Sequence, residues 1–88
     1  MKLKENLVLR QVADTWVILP LTKETLDFNG MLTLNESGAL LWKVLEQGAD
    51  RKKLADALLA EYTVSREEAA SDVDEFLRKL ADAGCLEL

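Results

Sequence analysis

Sixteen carboxylates, eleven cationic side chains, two tryptophans and a single cysteine, Cys85, are the groups of this 88-residue chain from which chemistry could be built; histidine is absent. Without an imidazole the chain lacks the side chain most used as a general base and as a metal ligand. One thiol forms no intramolecular disulfide and no cysteine cluster for a metal. As a nucleophile Cys85 has no base to activate it. It follows a predicted helix C-terminus, where the negative end of the helix dipole works against a thiolate. The carboxylates fall mostly in the second half at the spacing of a solvated helix face. Asp74–Arg78 and Glu75–Lys79 are i, i+4 pairs in the favourable orientation. The four glycines have neither dinucleotide nor P-loop spacing, and turns or caps explain all but Gly38, where a close backbone approach is one use. Trp16 and Trp42 are read as core residues before ligand-stacking platforms, because a small domain has little apolar area to spare. These residues predict no cofactor, no metal and no independent enzyme.

The charge balance narrows the partners. A formal net charge of −5 opposes binding to phosphates and to anionic membranes. No apolar run is long enough to span a bilayer, and the start, Met1 to Asn6, lacks a signal-peptide core. With one thiol, the expected setting is the cytoplasm. A hydrophobic content of 49% is too high for disorder and sufficient for one core, so residues 1–88 are read as a single domain.

The elements that must position any site come in two textures. From Leu7 to Leu34 the chain is rich in β-branched, aromatic and leucine residues; after Asn35 it is rich in Ala, Leu, Glu and Lys at helical spacing. This order predicts an α+β fold, antiparallel strands first and helices afterwards. Leu7–Ala13 and Thr15–Leu21 read as strands about a turn at Asp14, with Pro20 marking a strand end. Asn29-Gly30 is a hairpin turn between 26–28 and a third strand at Met31–Leu34. Asn35 caps a first helix that stops near Gly48. A second follows Asp50 and buries Leu54, Ala55, Leu58, Leu59 and Tyr62. Ser65 and Glu68 form a capping box that opens a third helix, ending at Gly84; Cys85–Leu88 adds a short terminal strand.

Helix three carries the most information. At about 100° per residue, Ala69, Leu80, Val73, Leu77, Ala70 and Ala81 fan out to one side of Phe76 and Ala83 to the other, an apolar arc of about 160°. A helix on one surface needs about 100°. The surplus fits a stripe wedged between two helices and the sheet, or the wall of a groove with Phe76 at its margin between Asp72 and Lys79.

The helical half resembles a known family. Leu34-Asn35-Glu36-Ser37-Gly38-Ala39-Leu40-Leu41-Trp42, then Leu54-Ala55, Leu58 and Tyr62-Thr63-Val64, then Asp72-Val73, Phe76-Leu77, Leu80 and Ala83-Gly84-Cys85-Leu86 follow its ordered pattern. The family is that of the small D protein of pyrroloquinoline quinone biosynthesis, the precursor-peptide recognition element, and the likeness covers about residues 7–88. Cys85 stands where the family usually has a larger aliphatic, and Leu21–Thr25 lengthens the segment before the Asn29-Gly30 turn. The broader role is therefore transferred, not the quinone pathway itself.

The resemblance implies a winged-helix-like domain of three strands and three helices. Such domains bind the leader segment of a ribosomally made precursor peptide and present it to a modifying enzyme, often a radical S-adenosylmethionine protein. The peptide adds as a strand, its backbone hydrogen bonds giving affinity and side-chain pockets giving register. Carried onto this chain, the edge would be Met31, Leu32, Thr33 and Leu34, and the wall Asp72, Phe76 and Lys79. A winged-helix DNA-binding protein is the competing reading, opposed by Glu67, Glu68 and Asp72 near the start of helix three. A structural subunit-interaction domain is the third.

Overall fold

The computed structural model describes residues 2–5, 7–20 and 32–87. The Asn29-Gly30 hairpin, the 21–25 segment and Met31 lie outside the described residues.

Strands β2 (Leu7–Val12) and β3 (Thr15–Pro20) form an antiparallel pair in which Leu7 faces Pro20 and Val12 faces Thr15. Pro20 ends its strand, where its missing N–H costs the ladder nothing. Only Ala13 and Asp14 remain for the turn, and Ala13 adopts a φ of 55°. Strand β4 (Leu32–Leu34) pairs with β3, with Trp16 opposite Leu34 and Ile18 opposite Leu32. The sheet order is β2-β3-β4. Side chains alternate across a sheet, so Leu7, Leu9, Trp16, Ile18, Leu32 and Leu34 share the face turned to the helices.

Helix α1 (Glu36–Glu46) begins where Asn35 Oδ1 accepts from the Gly38 N–H at 2.8 Å. Gly38 is where the chain needs a bare backbone: a Cβ there would lie 3.2 Å from Leu34 Cβ and from Asn35 Oδ1. Asp50 caps α2 (Arg51–Glu61) and Ser65 caps α3 (Arg66–Asp82) in the same way, through the N–H groups of Lys53 and Glu68. At the end of α3, Gly84 takes a φ of 79°, its N–H reaching the Ala81 carbonyl and the Cys85 N–H the Leu80 carbonyl. This double closure satisfies carbonyls the helix leaves open and turns the chain toward the core.

The expected terminal strand is present at Leu86–Glu87, and its partner was invisible along the sequence. Residues Lys2–Leu3 form β1, paired antiparallel with β5 (Leu86–Glu87), which ties the start of the domain to its end. The core between sheet and helices is closed around Trp42, Ile18, Leu54, Leu80, Val73 and Cys85, all essentially inaccessible to solvent.

Two expectations about the helices need correction. Tyr62 is not part of the buried stripe of α2: the helix stops at Glu61, Tyr62 turns to extended backbone, and its side chain is 37% exposed. The apolar arc of α3 is also narrower than its sequence suggests. Ala69, Val73, Phe76, Leu77 and Leu80 are buried, but Ala70 and Ala81 face outward. Alanine is small enough to stand on a solvated face at little cost, and the buried sector shrinks to about 100°.

Candidate functional site

The edge of the sheet and one flank of α3 meet in an open cleft of about 520 Å³. Leu34, Gly38, Leu41, Leu58 and Phe76 supply its apolar lining. Thr33 and Asn35, Asp14 of the first turn, Thr15 at the start of β3, Ser37 of α1, and Asp72, Glu75 and Lys79 of α3 supply its polar rim.

Strand β4 lies at the end of the sheet, and among the described residues its far side has no ladder partner. Lys79 Nζ donates to the Thr33 carbonyl at 2.8 Å, crossing from α3 to the strand. In an antiparallel strand the N–H and C=O of one residue point the same way, and successive residues alternate. The carbonyl of Thr33 faces α3, so its N–H faces that way also, while Leu32 and Leu34 direct theirs to β3. The exposed hydrogen-bonding pair of the edge is thus Thr33.

Thr33, Leu34, Asp72, Phe76 and Lys79 come together around this cleft, although the strand and helix residues are about forty positions apart in the chain. Leu32 is half-buried and packs against the core rather than lining the cleft, and Met31 is outside the described residues. Phe76 has two roles at once. It belongs to the core, at 7% exposure, yet it is the most exposed of the buried α3 residues and its open margin forms part of the cleft. The two readings of the α3 arc therefore meet in one side chain.

Sequence reasoning missed Glu75, Asp14, Ser37 and Gly38 as lining residues. Glu75 was within reach, being three positions from Asp72 on the same flank; Asp14 reaches the cleft only through the strand pairing. The ion pairs of α3 also differ from those read from spacing. Asp74 pairs with Arg51 of α2, and Lys79 is engaged by the Thr33 carbonyl.

Elsewhere the reactive groups are quiet. Burial lifts the Cys85 thiol from 9.0 to about 11, with Lys4 opposing by a smaller amount. Desolvation, more than a helix dipole, is what keeps it protonated. Lys43 sits over the half-buried Trp16 ring, 4.5 Å from its centroid, so a cation already covers that aromatic face. Trp42 is core, at 1% exposure. Among the described residues no group of three His, Cys, Asp or Glu side chains is placed to hold a metal ion. No helix of the described residues is long and apolar enough to cross a membrane.

Over residues 15–86 the sequence matches the family of coenzyme PQQ synthesis protein D, PqqD. The chain belongs to the PqqD family. Two solved structures resemble this PqqD-family chain. TbiB1, solved in complex with the TbiA(beta) leader peptide, is 32% identical, with a TM-score of 0.79 over 99% of this chain and 95% of that one. Lasso peptide synthetase B1, complexed with the leader peptide, is 24% identical, with a TM-score of 0.75 over 96% of this chain and 93% of that one, a likeness that bears on the fold. No curated protein matches the chain in sequence.

Proposed function

We propose that this chain binds the leader segment of a ribosomally made precursor peptide and presents it to a separate modifying enzyme, without itself catalysing the modification. The peptide adds to β4 as a further strand. It pairs with the N–H and C=O of Thr33 and lays alternate side chains over Leu34 and Phe76, with Asp72 and Lys79 at the rim and Met31 and Leu32 extending the edge. The observation that carries this reading is a strand edge with no ladder partner among the described residues, bordering an apolar-floored cleft, in a chain 32% identical over nearly its whole length to a protein solved with a leader peptide.

Strand addition draws affinity from the backbone and selectivity from pockets, which suits a cleft with only a few side chains on its floor. The Lys79 ammonium is a placeholder on the Thr33 carbonyl that an incoming peptide N–H can share or replace. Presentation requires a partner enzyme; the radical S-adenosylmethionine enzymes of the wider family are the first to test. Pull-down of such an enzyme in the presence of its precursor, compared with a precursor lacking its leader, checks this step. Recovery that does not depend on the leader would contradict presentation.

A further inference from the structure

Four charged side chains stand on the wall of the cleft, and three of them are carboxylates: Asp14, Asp72 and Glu75, against the ammonium of Lys79. All four are exposed. Lys79 is hydrogen-bonded to the Thr33 carbonyl. Asp14, Asp72 and Glu75 make no ion pair or hydrogen bond with the described residues, although Arg51–Asp74 and Arg66–Asp56 pairs close elsewhere on the surface. The wall carries three negative charges and one positive, a balance of −2. Asp72 and Glu75 are i, i+3 neighbours, a spacing at which like charges repel. An arriving cation relieves that repulsion; an arriving carboxylate adds to it.

Resting on the peptide-binding reading, we infer that the leader segment seated on β4 carries a lysine or arginine that enters the cleft between Asp72 and Glu75. Asp14 adds to the field from the turn. A bare metal ion is a poor occupant, because the described residues bring no third ligand into a coordinating group. A basic side chain needs only two exposed carboxylates and tolerates an open site. Its apolar stem also covers the Phe76 margin while its charge stays at the rim. The carboxylates thus select among peptides, and the strand edge holds whichever peptide is selected.

The test is selection of random 15-residue peptides by display on the intact chain, followed by calorimetry with a selected peptide. The expected outcome is enrichment of Lys or Arg at a position whose change to Gln weakens binding by about two- to fivefold near physiological salt. That difference should shrink at high ionic strength. Asp72→Asn and Glu75→Gln should each remove part of the preference for the basic peptide over its Gln counterpart, and Glu67→Gln, outside the cleft, should leave it unchanged. Selected peptides without basic enrichment would overturn the inference while leaving strand addition intact. So would a Lys-over-Gln preference of equal size in wild type, Asp72→Asn and Glu75→Gln. Recovery of no peptide at all would overturn the binding reading along with it.

Discussion

At the scale of single residues, Phe76 and Cys85 lead to separable predictions. Phe76 is almost wholly buried, so Phe76→Ala removes a core ring and is expected to lower folding stability by about 3–5 kcal/mol. Chemical denaturation checks this, and a change below about 1 kcal/mol would show that the ring is not held by the core. Phe76→Leu keeps most of the apolar volume but recedes from the cleft, so it should weaken peptide binding more than its stability loss accounts for. Cys85 has a thiol raised from 9.0 to about 11 in the folded chain. The unfolded chain then loses this proton first, so the thiol's contribution to stability is complete below about pH 9. It falls as pH climbs toward 11, by up to about 2–3 kcal/mol. The difference in stability between wild type and Cys85→Ala should narrow over that interval, and alkylation of the native thiol at pH 8 should be far slower than in denaturant. Rapid native alkylation at that pH would contradict the burial.

At the scale of elements, the direction of the Thr33 amide makes two neighbouring substitutions diverge. Thr33→Pro removes an N–H that faces the open edge and so should leave the β3–β4 ladder paired, while abolishing most of the peptide affinity. Leu32→Pro removes an N–H directed at β3 and should destabilise the domain itself. A larger loss from Thr33→Pro than from Leu32→Pro would mean that the strand faces the other way. Gly84, at a φ of 79°, is expected to tolerate Ala only at a loss of about 1 kcal/mol or slightly more, seen as a lower denaturation midpoint. The elements most legible in the sequence are those with local causes. Asn35, Asp50 and Ser65 each announced a helix start by chemistry within three residues, and Gly48 and Gly84 announced the stops. The Asp14 turn was visible for the same reason. The terminal strand β5 was legible, but β1 and its pairing with β5 were not, because β1 is two residues long and its partner lies at the opposite end of the chain. Tyr62 misled because its spacing continued a stripe after the backbone had left the helix. Ala70 and Ala81 misled because alanine is apolar enough to extend a pattern and small enough not to need burial.

At the scale of the whole molecule, the separation of a polar α3 flank from a closed core allows one domain to be stable and still offer a strand edge that has no ladder partner among the described residues. Strand edges invite indiscriminate pairing, and β4 is short, with charged side chains along its rim. The net charge of −5 acts on the same scale. It predicts no sub-micromolar affinity for duplex DNA near physiological salt, and a tight interaction that weakens steeply with added salt would contradict it. The candidate site was legible in the sequence only in part. Phe76 stood out by its place at the margin of an apolar arc, and Asp72 and Lys79 by flanking it, but the family pattern was needed to bring Thr33 and Leu34 to the same place. Glu75 and Asp14, which set the charge of the cleft, became members of the site only once α3 and the β2–β3 turn were in position.

Under the proposed function, a leader peptide extends the sheet at β4. Amide hydrogen exchange, resolved residue by residue, tests it most directly when the chain is compared free and saturated with a leader peptide that binds it, the TbiA(beta) leader or that of its own precursor. Strand addition predicts marked slowing at the Thr33 amide, little change at Leu32 and Leu34, which already pair with β3, and shifted signals along the Asp72–Lys79 flank of α3. Saturable binding that leaves Thr33 exchange and the α3 flank unchanged would contradict it.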